Sequence, residues 1–201
     1  MPGDFDKAIS LLDATHSQDP NLTDADSPSP SVPYELHYAR KMTAYLDLHT
    51  PTASPTLRLA VRAQHLRRWE IPRSSYPDGK VGYFAWRTFL KKRQAEQANE
   101  ICLASSFPEV DAERVASLVN KEELKKGEGK GDPEVQVLED VACLVFLDDQ
   151  FEEFEKGHDE EKIIGILRKT WAKMSERGRE LALKMEMSER SRSLIEKALG
   201  G

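Results

Sequence analysis

The sequence predicts an all-α fold, a single compact domain of about seven to eight helices over residues 1–201. Apolar residues recur every three or four positions over long stretches, as on one face of a helix. No run of strictly alternating residues and no hairpin dipeptide between two such runs is present. Hydrophobic residues make up 39% of the chain, enough for one core, and the 32% of charged residues argue against a membrane protein.

Helix starts and breaks indicate the elements along the chain. A short amphipathic segment comes first, and the Pro/Ser-rich residues 19–33, with little apolar content, predict a loop within the domain. Ser54 followed by Pro55 is typical of an N-cap and a first helical position, and Asp132 followed by Pro133 repeats the pattern. The longer predicted helices are 34–48, 55–69, 81–104 and 133–156.

Apolar runs and cysteines bear on location. The longest apolar run, residues 141–147, is far shorter than the roughly 20 residues that span a bilayer. The first residues lack the basic-then-apolar plan of a signal peptide. Cys102 and Cys143 each lie among apolar neighbours in a helical pattern, which predicts buried, reduced thiols. These features predict no membrane partner and a cytoplasmic location, with the nucleus as the alternative.

Basic residues concentrate between positions 58 and 93, where ten basic and two acidic residues give a local net charge of +8 on a chain of −6. Such a block on an acidic protein indicates a local anion site. Arginine can bond two oxygens of a phosphate, and aromatic rings can stack on a base. In the alternative interpretation, the arginines solvate a helix face and the aromatic rings fill the core. The predicted ligand-binding residues are Arg67, Arg68, Trp69, Arg73, Tyr83, Trp86, Arg87 and Lys91.

The pair Glu139-Asp140 is the second candidate, because the apolar stripe of its helix, extended back four residues from Leu144, reaches Asp140. A carboxylate on an apolar face must be paired, hydrogen-bonded or bound to metal. Asp140, His65 and Glu139 are therefore the predicted catalytic residues, acting as general base or metal ligand. A structural salt bridge, for example to one of the arginines, is the alternative.

The tripeptide Lys173-Met174-Ser175 is similar to part of the ATP-handling loop of class I aminoacyl-tRNA synthetases. The second lysine of that loop is replaced by Glu176, and its His-x-Gly-His partner motif is missing from the chain. Ser175 instead suits a helix N-cap. A glutamyl-tRNA synthetase function is therefore not expected.

Four dense motifs carry a family resemblance, namely AQHLRRWEIPR, GYFAWRTFLKK, LEDVACLVFLDDQFEEF and ILRKTWAKMSERG. They resemble the domain of unknown function 4202 family of bacterial and fungal proteins, from about residue 5 to 199. The order of elements is also similar to HD-type metal-dependent phosphohydrolases, which use a His, a His-Asp pair and a late Asp. This likeness implies an HD-like fold in which His65 and Asp140 bind a divalent metal, with Leu66 in place of the paired Asp. His37 or Tyr38 lies near the first position, and Gln94 stands where family members often have His.

Two functions follow as hypotheses of nearly equal rank. One is an HD-like enzyme, a metal-assisted phosphohydrolase acting on a phosphorylated small molecule or nucleotide. The other is a non-catalytic module that binds an anion or RNA through residues 58–93. A structural protein whose basic face docks an acidic partner ranks behind them. If His65 and Asp140 meet in one cleft beside Arg67 or Arg73, the enzyme is favoured.

Overall fold

A computed structural model describes residues 3–23, 30–122 and 131–200, and the all-α prediction is confirmed over these ranges. The described chain contains ten α-helices. A π-helical segment, Phe146–Gln150, joins α6 and α7, so these two form one continuous helical stretch. The helices are α1 (Phe5–His16), α2 (Tyr34–His49), α3 (Pro55–Arg62), α4 (Gly79–Ala104), α5 (Glu109–Asn120), α6 (Pro133–Val145), α7 (Phe151–Lys156), α8 (Glu160–Lys173), α9 (Glu176–Leu183) and α10 (Glu189–Leu199).

Side-chain caps start several of these helices. The predicted starts at Ser54-Pro55 and Asp132-Pro133 are confirmed, because the Ser54 hydroxyl accepts from the amide of Leu57 and Asp132 caps α6 in the same way. Each cap satisfies an amide that the first turn of a helix leaves without an intrahelical partner. Asp4, Asp159, Ser175 and Ser188 cap their helices alike.

Two apolar clusters form the core, and α6 contributes to both. The first gathers residues of α1 to α6, among them Met42 and Leu118, and the second packs α6 to α10 around Phe151 and Ile163. Cys102 lies in the first cluster and Cys143 in the second, both as free thiols, which confirms the prediction of buried, reduced cysteines. Because α6 belongs to both clusters, its polar residues lie where the two parts of the molecule meet.

The predicted helix 55–69 is wrong in its second half, because α3 ends at Arg62. His65 and Arg67 take left-handed backbone conformations, with φ of 65° and 47°, which turn the chain out of the helix. The buried Arg62 guanidinium bonds Asp13, and the Arg62 carbonyl accepts from Nε2 of His16. These distant contacts satisfy the helix end, so the bend is stabilised by tertiary packing.

The predicted loop 19–33 is described at residues 19–23 and 30–33, and the rest of it lies outside the described residues. An isolated bridge joins Leu22 to Pro33, and the carboxylate of Asp19 accepts from the amide of Glu35 at the start of α2. The ends of this loop therefore hold the first turn of α2. Across the described ranges, no helix combines the length and the apolar character needed to cross a membrane.

Candidate functional site

A cavity of about 260 Å³ opens where the bend after α3 meets α4, α5, α6 and α8. Its charged lining is strongly unbalanced, because five basic side chains face one carboxylate, Glu139, which gives the lining a net charge of +4. Such a concentration of one sign of charge in a concave site attracts an anionic ligand. The basic residues are Arg68, Arg87, Lys91, Lys121 and Lys173.

Lys121 and Glu139 form an ion pair beside this cavity. Lys121 follows α5 with a left-handed φ of 54°, and its ammonium lies 2.5 Å from one oxygen of Glu139. The ammonium of Lys173 lies 3.5 Å from the other oxygen. Burial raises the pKa of Glu139, but Lys121 and Lys173 outweigh burial and lower that pKa to about 2. Glu139 is therefore ionised at neutral pH and is a weak base.

His65, which also lines the cavity, is enclosed by three side chains. Its ring stacks on Tyr38 with centroids 4.0 Å apart and 7° between planes. The guanidinium of Arg68 donates to Nε2 of His65 at 2.7 Å, and since arginine only donates, Nδ1 carries the ring proton and donates to Glu35 at 3.2 Å. Burial and Arg68 hold the pKa of His65 well below its usual value, and burial raises the pKa of Glu35 to about 8. Both groups are therefore mainly neutral at pH 7.

Trp86 contacts the backbone and side chains of the segment that follows α3. Its side chain is buried, its indole N–H donates to the carbonyl of Ile71 at 2.9 Å, and the guanidinium carbon of Arg68 lies 5.1 Å from its ring centroid. Trp86 does not line the cavity, and its polar edge and one ring face are already occupied, so base stacking by Trp86 stays a prediction. Trp69 does not line the cavity, whereas Tyr83 does and is 43% exposed.

The basic block 58–93 does not form one face. Arg67 bonds Glu70 and Gln18, and Arg73 donates to backbone carbonyls of its own loop, so neither of these predicted phosphate ligands lines the cavity. Acidic partners also engage Arg58, Arg62, Lys92 and Arg93. Of the ten basic residues in the block, the cavity lining includes Arg68, Arg87 and Lys91.

Asp140 is fully buried, as the sequence predicts, but it lies outside this cavity. Its two oxygens accept from Nε2 of His49 at 2.9 Å, from the Gln136 amide at 2.9 Å, and from both the backbone amide and the hydroxyl of Ser175. The carboxylate therefore joins the end of α2 to the start of α9. Its partners are a histidine and a helix N-terminus rather than an arginine, and a catalytic role for Asp140 stays a prediction.

The predicted pairing of His65 with Asp140 at a metal is not met. His65 lines the cavity, whereas Asp140 lines a separate depression with His49, and the Nε2 lone pair of His65 already accepts from Arg68. Over the described ranges, no group of three or more His, Cys, Asp and Glu side chains could hold a metal ion. Leu66, at the place of the paired Asp, is fully buried in the core. These residues do not fit a divalent metal centre.

Several residues of the cavity lie outside the set that the sequence pattern predicts. Lys121 and Lys173 each stand at the end of a helix, far from the basic block, and Gln150 is the last residue of the π-helical segment. Gln150 donates to the Tyr34 hydroxyl at 2.9 Å. The available signal was indirect, because a buried Glu139 requires cations from other parts of the chain.

The fold and the site together define a class, an all-α protein with a cation-lined cavity between its helices. The chain matches the model of the family described as domain of unknown function 4202 over residues 6–195, and it belongs to that family. No curated protein and no solved structure is significantly similar to it. The likeness to HD-type phosphohydrolases therefore stays a prediction.

Proposed function

We propose that this protein binds a phosphorylated small molecule in the cavity, with Arg68, Arg87 and Lys173 contacting the phosphate. The observation that carries the proposal is Arg87. It lines the cavity, yet it has neither a hydrogen bond nor an ion pair with any residue that the structure describes. An arginine without a direct ion pair, among four other cations and near the single carboxylate of Glu139, gains most from a dianion, which accepts several charge-assisted hydrogen bonds at once.

The arrangement favours binding over hydrolysis. Glu139, with its pKa lowered to about 2, is too weak a base to activate water efficiently. The acceptor nitrogen of His65 is engaged by Arg68, and Asp140 caps a helix elsewhere. A metal-assisted phosphohydrolase stays a prediction that these contacts do not favour. RNA binding through residues 58–93 has less support, because at least five of the ten basic residues there are paired with an acidic side chain.

Ligand-dependent thermal stability tests the proposal. A ligand that binds only the folded chain adds about 2.7 kcal/mol at one hundred times its Kd, which raises the Tm of a domain of this size by several degrees. The probes are inorganic phosphate, glycerol 3-phosphate, ribose 5-phosphate and adenosine 5′-monophosphate. At least one phosphate monoester should raise the Tm, and calorimetry should give its Kd. If none of the four shifts the Tm or gives heat, the proposal fails.

A matched pair of variants assigns the effect to the cavity. Arg87→Gln should weaken the bound phosphate ester at least tenfold, because one charge-assisted hydrogen bond contributes about 1.5 to 3 kcal/mol. Arg192→Gln, on the exposed face of α10, makes the same change in net charge outside the cavity and should leave the Kd within twofold. An equal loss in both variants would mean that only overall charge matters, which contradicts a site at Arg87.

A further inference from the structure

Most of the aromatic rings that line the cavity already contact another ring. Tyr38 is buried and stacks on His65, and the edges or faces of Phe146 meet Phe151 and Phe154 in T-shaped contacts. Tyr83 is the remaining aromatic side chain of the lining in the described chain. Recognition of a nucleobase relies on stacking against free ring faces. This cavity therefore offers a base little to stack on.

Neutral hydrogen-bonding groups are abundant in the same lining, namely Gln64, Gln94, Gln150 and Thr170. The amide nitrogen of Gln64 donates to Ala60 and that of Gln150 donates to the Tyr34 hydroxyl. Each of these amides therefore keeps its oxygen as an acceptor and one N–H as a donor for a further hydrogen bond. Hydroxyl groups are suited to such oxygens, since a hydroxyl donates one hydrogen bond and accepts two.

Gln94 supplies the complementary donor. Its side chain is 6% exposed, and its amide nitrogen has no hydrogen-bond partner among the described residues. Buried polar atoms without a partner are rare in folded proteins, and each has a cost of about 1 to 3 kcal/mol. A ligand oxygen at this nitrogen would remove that cost, and since Gln94 lines the cavity, its position fits a bound oxygen-rich molecule.

We propose that the ligand is a phosphorylated polyol, such as a sugar phosphate or glycerol phosphate, rather than a nucleotide. The inference rests on the proposed function and names the ligand class of the same cavity. The phosphate lies among Arg68, Arg87 and Lys173, and the hydroxyls bond the glutamine amides. The cavity volume of about 260 Å³ lies just below the roughly 300 to 1,000 Å³ of typical ligand sites, which also suits a compact molecule without a base.

A matched pair of ligands tests the class. Ribose 5-phosphate and adenosine 5′-monophosphate differ by the adenine base, so calorimetry on the full chain measures what the base adds. Ribose 5-phosphate should bind at least tenfold more tightly, and ribose or adenosine without phosphate should not bind. If the nucleotide binds as tightly or more tightly, the polyol inference is overturned and the proposed function stands. If neither of these esters binds and glycerol 3-phosphate and inorganic phosphate do not bind either, the proposed function fails as well.

Gln94→Met tests the contact with the polyol, and Gln97→Met is its control. Gln97 lies on the same helix and also has an unpartnered amide atom, but it does not line the cavity. Gln94→Met should weaken ribose 5-phosphate about tenfold while the Kd of inorganic phosphate changes less than twofold, and the control should change neither. A loss of the same size for both ligands would show that Gln94 senses only the phosphate, against the inference.

Discussion

Lys121 and Glu139 bury an ion pair whose side chains are 7% and 8% exposed, with nitrogen and oxygen 2.5 Å apart. Removing one partner of a buried pair leaves an uncompensated charge, which costs about 3 to 5 kcal/mol. Without Lys121, the half-exposed Lys173 still compensates Glu139 in part, which favours the lower end of that range. Replacing both partners with apolar residues removes that penalty. The pair is therefore expected to show strong non-additivity in its contribution to the free energy of unfolding.

Urea unfolding of three variants measures this coupling. Lys121→Met and Glu139→Leu should each lower the free energy of unfolding by about 3 kcal/mol, and the double variant should lose clearly less than the sum. The exposed pair Lys156 and Glu153 is the control, whose partners should contribute less than about 1 kcal/mol. Additive losses at Lys121 and Glu139 would contradict a desolvated ion pair.

Glu35 predicts how stability depends on pH. Its pKa is raised from 4.5 to about 8 by burial, so the folded chain holds a proton that the unfolded chain releases. The contribution of this protonated carboxyl to the free energy of unfolding is complete below pH 4.5 and is lost as pH rises through 8. The lowered pKa of His65 acts in the other direction, but only below pH 6.5. Between pH 6.5 and 9, Glu35 is therefore the member of this pair that titrates.

Chemical unfolding between pH 6.5 and 9 tests this dependence. The wild-type protein should lose stability across the window, and Glu35→Gln, which keeps an acceptor for the Nδ1 proton of His65, should flatten the slope. Glu100→Gln, at an exposed position of α4, should leave the slope unchanged. A wild-type profile that is flat or rises over this window would show that the Glu35 pKa is not raised.

Local signals in the sequence predicted most helix starts, because caps such as Ser54 and Asp132 act within one turn. The end of α3 was missed, since it depends on Asp13 and His16, which lie 49 and 46 residues away from Arg62. Burial of Asp140 followed from helical periodicity. Its partner did not, because His49 is 91 positions distant in the chain.

The candidate site was predicted only in part, for the same reason. The concentration of basic residues between positions 58 and 93 indicated Arg68 and Arg87, which do line the cavity. Lys121 and Lys173 come from the ends of two other helices, and their proximity to Glu139 is set by helix packing. The sequence pattern therefore shows where basic residues are concentrated, whereas the fold decides which of them share a cavity.

Asp140→Asn separates a structural carboxylate from a catalytic one. Both oxygens of Asp140 accept hydrogen bonds from donors, four in total. In the asparagine variant an NH2 group replaces one of these oxygens and faces donors, so the free energy of unfolding should fall by about 2 to 4 kcal/mol. Affinity for ribose 5-phosphate, measured at a temperature where the variant is folded, should stay within twofold. A large loss of affinity with normal stability would instead place Asp140 in the binding site.

Gly178 lies against Asp140, and this contact predicts opposite effects of the same substitution at two helical glycines. A Cβ at Gly178 would come within 2.7 Å of the Asp140 carboxyl carbon, which is fully buried and held by Ser175 and His49. Gly178→Ala should therefore lower the free energy of unfolding by about 1 to 3 kcal/mol, the usual cost of overpacking. Gly165, in α8, meets no heavy atom of the described chain within 4 Å.

Gly165→Ala should consequently raise the free energy of unfolding by about 0.5 to 1 kcal/mol, because alanine favours the helix and the added methyl group has room. Thermal and urea unfolding of the two variants beside the wild type give both signs in one experiment. If Gly178→Ala is also stabilising, α9 does not pack against Asp140 as closely as the structure describes. The contacts by which the Asp140 carboxylate joins α2 to α9, outside the cavity, would then be in doubt.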